Sequence, residues 1–107
     1  MANPYAGEVA LVIDGERHAL KLTLGALAEL ETALGADSLV ALVERFEAGR
    51  FSTRDVLALI LAGLRGGGWQ GGADALLTAE IEGGTVAAAR AAAQLLARAF
   101  AVPAGVA

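Results

Sequence analysis

The side chains that carry most enzyme chemistry are scarce in this chain. It has 107 residues, no Cys and a single His, His18. A thiol nucleophile and a disulfide framework are therefore excluded, and a metal site would need carboxylates for most of its ligands. The two Ser residues, Ser38 and Ser52, stand where helices are predicted to begin, and neither lies in a Gly-x-Ser-x-Gly elbow. These residue types therefore give no candidate for a catalytic residue or for a metal site.

The carboxylates are spaced wrongly for general acid–base catalysis. Glu29 and Glu31 are two residues apart on a predicted helix, so they point to different sides of it, and Glu80 and Glu82 have the same spacing. His18 lies on the inner face of a predicted hairpin, where we interpret it as a packed side chain rather than a base or a ligand. The chain is therefore predicted not to be an enzyme.

The glycine-rich stretch 63–72 invites comparison with a phosphate-binding loop. It lacks the Gly-Lys-Ser/Thr sequence and follows a predicted helix instead of a strand, so we expect no nucleotide and no other cofactor. Residues 66–72 are predicted to be a loop. Its Trp69 either packs back into the core, the favoured interpretation, or is displayed to a partner, since Trp is enriched at binding hot spots.

The composition limits the class of protein. The net charge is −4, so no basic stripe is available for nucleic acid. The longest apolar run, residues 56–64, is well below the roughly 20 residues of a membrane-spanning helix. The first residues do not resemble a signal peptide, and we expect a cytoplasmic protein. Beside 26 Ala, the 34 larger apolar residues can fill one core. We expect one domain over 1–107, with 1–7 and 102–107 frayed.

Alternating apolar residues predict a β-hairpin over 8–22, with Asp14-Gly15 at its turn. A two-residue loop would pair Ile13 with Glu16, whereas a four-residue loop would pair Ile13 with His18, and both remain open. Either register places the same side chains on the face that packs on helices, namely Val9, Leu11, Ile13, His18, Leu20 and Leu22.

Five helices are predicted after the hairpin, which makes the fold α+β and mainly α. The predicted starts are capped by Thr23, by Asp37 or Ser38, by Ser52 in a capping box with Asp55, and by Thr85. The helix from Val56 to Leu64 is apolar on almost all sides, which places it at the centre of the domain. Leu24, Leu27, Leu30 and Leu34 are expected to share one face, and Glu44, Arg45 and Glu47 to face solvent. The predicted spans are about 24–34, 38–48, 53–65, 73–82 and 86–100.

The last helix is the first place to look for a partner. Its apolar residues recur at alternating spacings of three and four, as in a coiled-coil seam, although the same seam could pack within the domain. Residues 56–107 carry no net charge, which also suits an interaction surface. The candidate partner-binding residues are Trp69, Val86, Ala89, Ala93, Leu96 and Phe100.

Four stretches, residues 7–17, 22–31, 51–57 running into 66–68, and 81–84, together resemble a small tail protein of alphaproteobacterial gene transfer agents. These agents are phage-like particles that package host DNA. The resemblance implies either a tail assembly chaperone or a tail tube component, and it brings no catalytic or cofactor residues. A chaperone of this kind binds the tape-measure protein and recruits tail tube subunits, and it can self-associate. A tube component would be found in the particle.

The strand content separates these two possibilities. A tail tube subunit normally polymerises through a β-sandwich, whereas strands are predicted here only within 8–22. A mainly helical domain is better suited to offering grooves to other helices. We therefore favour the chaperone, with the tail tube component as the alternative.

Overall fold

The computed structural model describes residues 8–35 and 38–100. The predicted mainly helical α+β architecture is confirmed, while the segments 1–7 and 102–107 that were expected to fray lie outside the described residues. The buried side chains of the hairpin and the helices form one hydrophobic cluster. The elements are β1 (Val9–Ile13), β2 (Glu16–Leu20), α1 (Leu24–Leu34), α2 (Leu39–Glu47), α3 (Thr53–Gly66), α4 (Ala73–Leu77) and α5 (Gly84–Phe100).

The hairpin adopts the register with a two-residue loop. Asp14 and Gly15 both have positive φ, 51° and 80°, as expected of a type I′ turn. Ile13 therefore pairs with Glu16, and Leu11 pairs with His18. The predicted inner face is confirmed, with His18 and Leu22 half-buried and the remaining members buried, namely Val9, Leu11, Ile13 and Leu20.

The central position predicted for the third helix is also confirmed. α3 packs against β2, α1, α4 and α5. Its Leu59, Ile60 and Leu64 are at most 1% exposed. At its start, Ser52 and Asp55 form the predicted capping box.

On α1 the expected apolar face is wrong at one position. Thr23 caps the helix as predicted, its hydroxyl accepting from the N–H of Ala26 at 3.1 Å. Leu30 is buried with Ala26, but Leu24 is 86% exposed. Two steps of three residues rotate Leu24 about 120° from Leu30, because a helix turns about 100° per residue. A run of Leu at spacing three thus leaves the buried stripe.

The helix predicted over 73–82 is wrong beyond Leu77. Ile81 instead forms an antiparallel bridge with Ile13. The N–H of Asp14 donates to the carbonyl of Glu80 at 2.7 Å, and the N–H of Glu82 donates to Val12 at 3.0 Å. These bonds satisfy backbone groups at the edge of β1 and hold residues 80–82 extended, although their apolar spacing predicted a helix. α5 then begins at residue 84, two residues earlier than predicted.

Three glycines near the end of α3 allow its backbone to contact the backbone of β2 and of the residue that follows β2. The N–H of Lys21 donates to the carbonyl of Gly63 at 2.9 Å. A Cβ at Gly63 would lie 2.7 Å from Leu95 Cδ1, and Cβ atoms at Gly66 and Gly67 would overlap the carbonyl oxygens of Lys21 and Ala19. The loop was predicted to begin at Gly66, but Gly66 is the last residue of α3.

Replacing Leu59 tests whether α3 is the central helix. Leu59 is fully buried, so Leu59→Ala should lower the free energy of unfolding by about 2–5 kcal/mol. Leu24→Ala removes the same atoms from an exposed site and should change it by less than about 0.5 kcal/mol. Chemical denaturation of both variants measures the difference. Equal effects would contradict the assignment.

Two Gly→Ala substitutions in helices should have opposite signs. Gly25→Ala in α1 introduces no clash, because the nearest atom to the new Cβ is Thr23 Oγ1 at 3.9 Å, and it should stabilise the fold by up to about 1 kcal/mol. Gly66→Ala forces the Cβ into the Lys21 carbonyl and should destabilise the fold. Thermal and chemical unfolding give both signs. Stabilisation by Gly66→Ala would show that the close approach to Lys21 is not required.

Candidate partner-binding site

An apolar groove opens between α3, α4 and the beginning of α5, with a volume of about 500 Å³. Leu77 of α4 and Val86 of α5 are 65% and 66% exposed, which is unusual for side chains of their size. Among the described residues that line the groove, none is charged, and the polar side-chain atoms belong to three hydroxyl groups. The lining residues are Phe51, Ser52, Thr53, Val56, Leu57, Ile60, Leu76, Leu77, Ala79, Ile81, Thr85, Val86, Ala88 and Ala89.

The wall formed by α4 is short, and it is anchored at both sides of Leu77. Leu76 is 5% exposed and joins the core. After the helix, Ile81 is held by its bridge to Ile13, and the N–H of Glu80 donates to Asp14 Oδ1 at 2.9 Å. The residues before and after Leu77 are thus held in place, while the side chain of Leu77 itself faces solvent.

The rim at the start of α3 is held by a partly buried ion pair. Arg45 binds Asp55 through two bonds, Nε to Oδ2 at 2.9 Å and Nη2 to Oδ1 at 2.8 Å. Asp55 Oδ2 also accepts from the N–H of Ser52 at 2.9 Å. Arg45 is thus half-buried between two helices, and the expectation that it faces solvent is wrong. Phe46 stacks on Phe51 beside it, with ring centroids 4.4 Å apart.

The surroundings of Asp55 favour its charged form. The hydrogen bonds from Arg45 lower the pKa of Asp55 below its usual value, burial opposes this by raising it, and the bond from the Ser52 backbone lowers it further. The carboxylate therefore serves as a fixed cap and cross-link, with no proton to exchange near neutral pH.

The structure brings two of the six candidate partner-binding residues into the groove, namely Val86 and Ala89. Ala93 and Phe100 are exposed farther along α5, whereas Leu96 is buried in the core. Trp69 is half-buried and packs against the core, with its indole over Gly71. The binding roles of all six stay predictions. The buried residues of α5 are Ala88, Ala91, Ala92, Leu95 and Leu96.

Sequence reasoning missed Leu77 as a groove residue. The signal was the adjacent pair Leu76-Leu77. Neighbouring residues on a helix point about 100° apart, and α4 buries Leu76 while it directs Leu77 to solvent.

His18 remains a packing residue. It is half-buried, and its Nε2 lies 3.9 Å from Glu16 Oε2. Within 8–35 and 38–100, no group of three or more His, Asp or Glu side chains could hold a metal ion. None of the helices in this part of the chain has the length and apolar character needed to cross a membrane.

A family model described as phage tail tube protein, GTA-gp10, matches residues 6–102. The chain belongs to this family. It is therefore a tail-related protein of the gene transfer agent type, as its resemblance implied. No curated protein and no solved structure matches it. Members of a tail family interact with other tail proteins. The exposed groove is therefore a candidate site for such an interaction.

The Asp55–Arg45 pair should make the stability of this tail protein depend on pH. Because the pKa of Asp55 is lowered on folding, its contribution is present above the unfolded pKa of about 3.9 and is lost as the pH falls through the folded value. Asp55→Asn should therefore cost about 1.5–3 kcal/mol at pH 7, and the difference from wild type should shrink below about pH 4.

Glu29→Gln is the matched control, since the Glu29–Arg65 pair is exposed, with its atoms 3.4 Å apart. It should cost less than about 1 kcal/mol at any pH. Urea denaturation between pH 3 and pH 7 measures both variants. A cost of Asp55→Asn that stays constant across this range would contradict the role given to the carboxylate.

Proposed function

We propose that this protein is a non-enzymatic tail assembly chaperone that binds an apolar helical segment of the tape-measure protein. The observation that carries the proposal is the uncharged groove with exposed Leu77 and Val86 at its walls. Amphipathic helices are commonly bound by laying their apolar face into such a groove. We further propose that binding takes place in the cytoplasm, before the tail is complete.

The lining of the groove suits a helix better than a small polar ligand. Ala88 and Ala89 on α5 are small, so a second helix backbone can approach this wall closely. Val56 and Leu57 on α3 offer larger apolar contacts between it and α4. Covering these side chains removes apolar surface from water on both partners, which favours association. A tape-measure helix held in this way would be kept from aggregating until tube subunits surround it.

The alternative is a structural role in the tail tube, which the family description favours. The small amount of sheet argues against a tube role, because the described residues contain one hairpin and the short bridge at Ile81. A tube lined by strands normally needs a larger sheet from each subunit. A chaperone that recruits tube subunits would act on the tail tube without being part of it.

Groove variants test the proposed binding. In co-expression with the tape-measure protein, the wild-type chain should co-purify with it. Leu77→Glu and Val86→Glu place a charge in the groove and should reduce the recovered complex at least about tenfold, since burying an unpaired charge is costly. Leu24→Glu is the matched control, because Leu24 is exposed on α1 and does not line the groove. Undiminished recovery with both groove variants would overturn the site.

Analysis of finished particles separates the two functions. Quantitative mass spectrometry of purified particles should find the protein absent, or far below one copy per tube ring, if it is a chaperone. Many copies in each tail, together with no co-purification with the tape-measure protein, would instead establish the structural role.

A further inference from the structure

The described part of the chain covers only part of the edge of β1 that faces away from β2. Residues 80–82 pair with it at Ile13, and Gly83 and Gly84, with φ of 85° and 69°, then turn the chain away into α5. The bonds to β2 alternate along β1 from the closing pair Ile13–Glu16, so the backbone of Val12 points to the other edge, where its carbonyl accepts from Glu82.

Ala10 has the same orientation as Val12, because the two residues are two apart on one strand. Its N–H and C=O therefore point to the same outer edge. In the part of the chain that the structure describes, no backbone bond to Ala10 on this edge is found. Such groups are a ready template for an additional strand.

A cleft of about 310 Å³ lies beside this open edge and carries positive charge. Arg17 reaches it from the outer face of β2, and Arg90 and Gln94 reach it from α5. Among the residues described, neither Arg17 nor Arg90 has an ion-pair partner. Glu82 is the one acidic residue among the described residues of the lining, and it lies at the end of the existing bridge. The whole chain has a net charge of −4, whereas the described lining of this cleft has two Arg and one Glu.

We propose that this cleft binds an extended segment of another protein, which adds to the edge of β1 at Ala10 and carries two consecutive acidic residues. Successive side chains of a strand point to opposite faces. One carboxylate would meet Arg17 on the outer face, and the next would meet Arg90 and Gln94 on the side of α5. Arginine suits carboxylates because its planar guanidinium donates two parallel hydrogen bonds. The proposal is independent of the groove and of its occupant.

The test uses the full chain and a peptide probe, acetyl-Thr-Val-Glu-Glu-Val-Thr-amide. Nuclear magnetic resonance titration should shift the amide of Ala10, and hydrogen exchange at that amide should slow. A second peptide with Lys-Lys in place of Glu-Glu should bind at least about tenfold more weakly, since each lost charged hydrogen bond is worth at least that factor. Equal affinity for the two peptides would overturn the proposal.

Protein variants locate the site. Arg90→Glu should weaken binding of the Glu-Glu peptide at least about tenfold, whereas Arg98→Glu should weaken it less than about twofold, because Arg98 lies two turns farther along α5 and does not line the cleft. Ala10→Pro removes the edge N–H but leaves the ladder to β2 intact, so it should weaken binding in a protein that still folds. Peptide-induced shifts at Leu77 and Val86 in place of Ala10, or no effect of Arg90→Glu, would overturn the proposal.

Discussion

The hydrogen bond from the N–H of Lys21 to the carbonyl of Gly63, 2.9 Å long, joins the hairpin to the central helix at backbone distance. A two-stranded hairpin is marginal in water by itself, so its inner face needs this support. The contact requires glycine at 66 and 67, because a Cβ at either position would overlap a backbone carbonyl oxygen, whereas a Cβ at Gly63 would meet only side-chain atoms. Leu95 of α5 packs over Gly63, so the hairpin, α3 and α5 meet at one point. The packing of these three elements determines where the open edge of β1 and the groove beside α4 lie.

The helix α5 connects the core with both proposed binding surfaces. Its core-facing side is made mainly of Ala, which lets the helix lie close to α3 and β1 although the chain has few bulky apolar residues. Val86 and Ala89 on one flank line the groove, and Arg90 and Gln94 on the other flank line the cleft. A helical partner and an extended partner could therefore be bound at the same time. The apolar flank suits the first and the basic flank suits the second.

Local signals were readable from the sequence, whereas contacts between distant residues were not. The turn at Asp14-Gly15 and the caps at Thr23 and Ser52 depend on residues within a few positions, and each was predicted. The pairing of Ile81 with Ile13 and the bond from Arg45 to Asp55 join separate elements, so no periodicity could reveal them. In α5 the many Ala residues make the apolar spacing ambiguous. The predicted seam therefore differs from the face that packs.

The small sheet bears on how a helical protein can belong to a family described as tail tube. Among the described residues, two strands and one bridge leave the edge of β1 open at Ala10, and more sheet could form at that edge. A tube subunit that paired with its neighbour at this edge would extend the sheet past Arg17 and Arg90, so the neighbour would need acidic side chains at the joint. A chaperone could use the same edge to hold a strand of a tube subunit while the groove holds a helix. Both functions thus place the same chemical demand on the edge, and the occupant of the groove is what distinguishes them.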